Sequence, residues 1–206
     1  MTTVHIATPT IGCLPMLSIV NQKNIRCYTD GERYWPSVHA LIGLITGKSW
    51  IDEDAALRGQ QLHACMARHL RGEDPDCPAR FQPRFNALRE WANKADLRPQ
   101  FIETPVAAYA GWAGTPDLVT EDGNIYDWKF AESMRFEYEL QAQAYLQLYM
   151  FTDFHRAERT FTVVKVDKKG KIATFPLKWN DVTHTLLNHA MSIMAYRLRD
   201  RRKRST

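Results

Sequence analysis

Three residues in the stretch GTPDLVTEDGNIYDWKF, Gly114 to Phe130, are of types that do chemistry together: Asp117, Asp127 and Lys129. Two carboxylates can hold a divalent cation, and a neighbouring amine can orient a water or steady charge on a phosphoryl oxygen. A three-residue loop Glu121-Asp122-Gly123, with Gly123 in the left-handed conformation, is a common hairpin connection. It pairs Thr120 with Asn124, which sets Asp117 opposite Asp127 and Thr115 opposite Lys129. Strand side chains alternate with period two, so all four share one face. A strict two-residue Asp122-Gly123 turn would slip that register and scatter the set. Facing carboxylates repel unless one is protonated or a cation lies between them. Oxygen ligands of this kind suit a hard ion, Mg²⁺ or Mn²⁺. The same residues also permit a plainer arrangement, an Asp127–Lys129 surface ion pair with Asp117 capping a turn.

The elements that must carry this hairpin are legible around it. IRCYTDGERYWPSVHALIGLI suggests a hairpin at Asp30-Gly31 and a helix starting near Ser37. SWIDEDAALRGQQLHACMARHLRGED reads as a helix with acids in its first turn, arginines late, and Gly72 as its stop. QPRFNALREWANKA is a second helix, with Phe85, Leu88 and Trp91 or Ala92 on its apolar face. FIETPVAAYA, WAGTPDLVT and NIYDWKF read as strands, and FEYELQAQAYLQLYMFT as a helix with a broad apolar face. RTFTVVKVD and GKIATFPL are two more strands. A last helix runs from about Asn180 to Arg199, with Leu186, Leu187, Ala190, Ile193 and Met194 inward. This order predicts an α/β fold, a mixed central sheet flanked by helices. No linker or repeat interrupts residues 1–206, so one domain is expected.

The bulk properties narrow the class. The chain has 206 residues, 45% of them hydrophobic, which suits one sizeable core. No apolar run approaches a membrane span, and MTTVHIATPT lacks the basic start and apolar block of a signal peptide. A cytoplasmic protein is expected. The net charge is +4, yet Arg197 to Arg204 alone holds six bases and one acid. That basic tail, 197–206, is either a solubilising end or a contact to a polyanion such as DNA. Cys13, Cys27, Cys65 and Cys77 form no C-x-x-C pair and read as reduced structural thiols.

The ordered set Gly114-x-x-Asp117, Asp127-x-Lys129 and Gln141-x-x-x-Tyr145 resembles the PD-(D/E)xK nuclease superfamily, with Pro116-Asp117 as its literal PD. The likeness is greatest to the RecB-like and phage-exonuclease branch and covers roughly residues 34–150. Upstream, Gly59 and His63 resemble that branch's Gly-x-x-x-His helix, and YWPSVH resembles its Pro-Ser-Val entry. The resemblance implies a restriction-endonuclease-like fold and a metal-dependent deoxyribonuclease. It implies a cation held by His63, Asp117, Asp127 and the Trp128 backbone carbonyl. Glu103, on the preceding strand, would assist through water or position Lys129. Gln141 and Tyr145, one helical turn apart, would lie beside the substrate phosphate, with Arg58 and the basic tail as further phosphate contacts. Gly59 would let another backbone approach its helix. Trp35, Trp112 and Tyr126 would be candidates for stacking on bases, or core residues.

Some members of this branch carry an iron–sulfur cluster held by late cysteines. None follows Cys77 here, so that cluster is excluded. No phosphate-binding G-x-x-x-x-G-K-[ST] loop is present, which excludes a motor. An exonuclease acting on linear or single-stranded DNA ends is therefore expected, in recombination or phage DNA processing, with a single-strand annealing protein as a companion. A nicking or structure-specific endonuclease and an inactive DNA-binding module are the alternatives.

Overall fold

A computed structural model describes residues 17–47, 53–107, 111–152 and 159–198. Five strands form the central sheet, in the order β10-β9-β8-β7-β4. They are β4 (Pro99–Ile102), β7 (Leu118–Thr120), β8 (Ile125–Lys129), β9 (Phe161–Val166) and β10 (Ile172–Leu177). All neighbours are antiparallel except β8 and β9, which run parallel. A parallel pair needs a long crossover, and here it contains the helix α4 (Phe136–Thr152). The sheet is mixed and flanked by helices, as expected from the order of elements.

One face packs under α1 (Val38–Thr46), α4 and α5 (Asp181–Leu198), around Ile25, Leu41, Trp112, Val119, Ile125, Leu140 and Val163. The other packs under α2 (Glu53–Leu70) and α3 (Gln82–Lys94), around Leu62, Met66, Phe85, Leu88, Leu118, Trp128 and Val164. Adjacent residues such as Leu118 and Val119 join opposite cores, the signature of a strand buried on both sides. A separate three-stranded sheet, β1 (Ser18–Gln22), β2 (Ile25–Thr29) and β3 (Tyr34–Pro36), leads into α1. Ser37 caps that helix by accepting from the Ala40 amide at 3.1 Å.

Two expectations change. FIETPVAAYA and WAGTPDLVT, each read as one strand, are broken: β4 stops before Glu103, and β5 (Val106–Ala107) pairs instead with β6 (Ala113–Gly114). Pro105 and Pro116 lie at these breaks and have no amide to donate to a ladder. Thr115 therefore lies outside the ladder and does not pair with Lys129. On α5, Leu187, Ala190 and Met194 are buried, but Leu186 and Ile193 are 41% and 48% exposed. The helix presents one narrow stripe to α1 and α4, and its second apolar stripe faces out.

Candidate active site

The hairpin has the expected loop. Gly123 takes φ 84°, its amide donates to the Thr120 carbonyl at 2.8 Å, and the Thr120 amide donates to the Asn124 carbonyl at 2.9 Å. Leu118 faces Tyr126 and Val119 faces Ile125, so the register carries Asp117 towards Asp127. Both carboxylates are buried, at 5% and 1% exposure, and both line one cleft of about 1690 Å³. The cleft runs over the end of the sheet between the α1 side and the α2–α3 side.

Each carboxylate has its own cation. His63 Nδ1 lies 2.9 Å from Asp117 Oδ1, and Lys129 Nζ lies 2.6 Å from Asp127 Oδ2 as an ion pair outside hydrogen-bonding alignment. The second oxygen of Asp117 accepts from the Trp128 amide at 2.7 Å, and that of Asp127 from Gln141 Nε2 at 3.1 Å. Burial disfavours the His63 imidazolium, but the Asp117 carboxylate outweighs it, with help from Glu103, and raises its pKa to about 10. Burial pushes Asp127 above the usual carboxylate range, Lys129 opposes this, and Asp117 reinforces it. Burial also works against the Lys129 ammonium, yet Asp127 and Asp117 hold its pKa above the ordinary lysine value. The Lys129 ammonium further lies 5.2 Å from the centre of the Tyr138 ring.

His63, Glu103 and Asp117 each bring a ligand atom within 4.8 Å of the others, so this cluster could hold a metal ion. Its carboxylate oxygens, and the imidazole once it gives up its proton to the incoming ion, fit a divalent cation. Glu103 Oε1 is 3.7 Å from His63 Nδ1. Its backbone is held at φ 47°, uncommon for a residue with a side chain, while its amide donates to the Asp117 carbonyl at 3.1 Å. Backbone strain of this kind gathers at functional sites. Asp127 lies beside this cluster rather than within it, engaged by Lys129 and Gln141.

Other expected residues fall differently. Tyr145 does not line the cleft: it is 1% exposed, stacks on Phe161, and donates to the Thr115 carbonyl at 2.9 Å. A second tyrosine, Tyr28, bonds the Thr115 hydroxyl at 2.9 Å, so the two clamp the segment that leads into Asp117. The structure thus places Tyr145 behind the cleft wall, where its hydroxyl holds the Thr115 backbone. Gly59 lines the cleft, and a Cβ there would meet nothing within 4 Å, so no close backbone approach explains it. Trp35, Trp112 and Tyr126 do not line the cleft; Trp112 is buried and donates to the Ala144 carbonyl. The Arg58 side chain and the tail beyond Leu198 lie outside the described residues, whereas Arg197 lines the cleft.

Reading the sequence missed His39, Arg26 and Tyr138, which also line it. Burial, then the charges of Lys129, Arg26 and His63, lower the His39 pKa to about 3, so this imidazole is neutral. Tyr138 had a signal: it lies three positions before Gln141, on the same helical face.

No family model matches the chain, and no curated protein matches it in sequence. Solved structures do. A candidate exonuclease from Eubacterium rectale aligns over 80% of this chain and 74% of its own, at 11% identity and a TM-score of 0.51. An alkaline exonuclease from Laribacter hongkongensis aligns over 77% of this chain and 86% of its own, at 13% identity and a TM-score of 0.44. The same enzyme in complex with dAMP gives 14% identity, 77% and 85% coverage and 0.44. At these identities the likeness concerns fold. The chain has the mixed α/β fold of the Eubacterium rectale protein.

Proposed function

We propose that this chain is a divalent-metal-dependent nuclease of the PD-(D/E)xK superfamily, RecB-like branch, which hydrolyses DNA from its ends as a single domain spanning 1–206. The observation that carries this reading is the meeting of His63, Glu103 and Asp117 beside the Asp127–Lys129 pair in one cleft. His63, Asp117 and Glu103 would hold Mg²⁺ or Mn²⁺, with Asp127 and the Trp128 carbonyl as further ligands. Such an ion, when bound, supplies charge to polarise a phosphate and acidify a water. Lys129 orients the water whose oxygen attacks phosphorus as the P–O3′ bond breaks, leaving a 5′-phosphate. Gln141 fixes the Asp127 carboxylate and faces the cleft, while Tyr145 braces the backbone before Asp117. DNA processing or recombination in a bacterial or phage-infected cytoplasm, with an annealing protein as companion, suits such an activity.

The test is digestion of linear, circular and single-stranded DNA with Mg²⁺ or with EDTA. Mononucleotides released from linear DNA alone support the exonuclease, and relaxation of supercoiled circles would replace it with an endonuclease. Lys129→Ala should abolish cleavage while keeping the fold and DNA binding. Full activity in the purified variant would sink the mechanism.

A further inference from the structure

The charge that the sequence concentrates in its tail has a counterpart inside the cleft. Arg68 of α2, Arg71 just beyond the end of that helix, Arg84 of α3 and Lys168 of the β9–β10 turn all line it. They lie on or beside the two helices that cover one face of the sheet, the turn being tied to α3 through Arg84 and Asp167. On the opposite side, the lining supplies Arg26 of β2, Arg135 just before α4 and Arg197 of α5, three cations against four. The three arginines are already tethered by hydrogen bonds. Arg71 Nη2 donates to the Ile102 carbonyl at 3.3 Å, Arg84 Nε to the Asp167 carbonyl at 3.1 Å, and Arg68 Nε to Glu73 at 2.7 Å. Each of these bonds engages one nitrogen of a guanidinium that carries five N–H donors. Holding a long side chain in place beforehand removes part of the entropy cost of binding. Glu73 and Glu132 offset some of the charge, Glu132 lying 3.8 Å from Arg84.

We infer that this cationic arm on the α2–α3 side is a track for the sugar-phosphate backbone of the strand that continues beyond the scissile phosphate. The inference rests on the nuclease reading and adds to it a side of the cleft, a dependence on strand length and named residues. Backbone contacts of this kind carry no sequence information, so the arm grips any sequence. Its attraction comes from counterion release and weakens with salt. Binding tightens as an oligonucleotide lengthens, until the strand spans the arm.

The test measures binding of labelled single-stranded oligonucleotides of increasing length to the full chain carrying Lys129→Ala, with Mg²⁺, across a salt series. Arg71→Gln and Lys168→Gln are compared with Lys94→Gln, an equal charge change at an exposed α3 lysine paired with Glu90 and outside the cleft. Lys168 offers the cleaner variant, because its hydrogen bond to Glu132 is made by its backbone amide. Each arm variant should flatten the slope of log K against log salt by about 0.7, about a fivefold loss of affinity at 0.1 M salt. The loss should appear with long oligonucleotides and vanish with dinucleotides, and Lys94→Gln should leave the slope alone. Unchanged slopes in both arm variants, or an equal change in Lys94→Gln, overturn the arm while wild-type cleavage keeps the nuclease reading. A wild-type chain that neither binds nor cuts DNA overturns both.

Discussion

Gly114→Ala should destabilise the protein out of proportion to the single methyl it adds. A Cβ at Gly114 would lie 2.5 Å from Tyr145 Cε1 and 3.0 Å from both Cζ and the hydroxyl oxygen. Carbon atoms prefer roughly 3.5–4.0 Å, so the overlap is about 1 Å. The ring has nowhere to go: it is 1% exposed, lies 5.9 Å from Phe161 at an interplanar angle of 5°, and is tied by its hydroxyl to Thr115. Relief must come from the backbone leading to Asp117. Overpacking of this kind costs about 1–3 kcal/mol, and a chain of this size loses roughly 2–4 °C of Tm per kcal/mol. Thermal melts should therefore fall by about 2–12 °C, and cleavage should fall further than stability because Asp117 moves. A double-mutant cycle isolates the cause. In a Tyr145→Ala background the obstructing atoms are gone, so Gly114→Ala should be almost neutral. A Gly114→Ala protein that melts with the parent, or equal losses in both backgrounds, would refute this account of the motif's glycine.

Three further outcomes follow from the same geometry. Mn²⁺ at about 100 times its Kd should stabilise the wild type by about 2.7 kcal/mol; His63→Ala should lose most of that shift in a metal titration followed by thermal melting. Tyr138→Phe keeps the ring facing Lys129 and should retain activity, whereas Tyr138→Leu should lower kcat with little change in KM, as steady-state kinetics would show. Gly123→Ala forces a side chain into φ 84° and should cost about 1–2 kcal/mol by chemical denaturation, through backbone strain alone.

The hairpin was readable because its information is local. One glycine fixes the loop, the loop fixes the register, and period-two alternation then sends Asp117, Asp127 and Lys129 to one cleft. The helix α5 was readable in extent but not in orientation. Leu187, Ala190 and Met194 form one helical stripe, and Val182, Leu186, Ile193 and Tyr196 form another. Both satisfy the periodicity, and only packing against α1 and α4 decides between them. The site shows the same division. His63 and Glu103 could be named from a motif and a neighbouring strand, but that they meet Asp117 more closely than Asp127 does depends on three separate elements converging.

The role of Tyr145 shows why a motif identifies a residue more reliably than it assigns its job. One face of α4 carries both Gln141 and Tyr145, yet they end differently: Gln141 stops at Asp127, and the longer tyrosine passes beneath to Thr115. Thr115 lies between Gly114, which the ring itself keeps small, and Pro116, which ends the ladder. A tyrosine below, a glycine against its ring and a proline before the aspartate therefore specify one short piece of backbone. Three letters that the sequence shows apart act together to aim a single carboxylate. The placement of Asp117 thus depends on side chains that do not line the cleft.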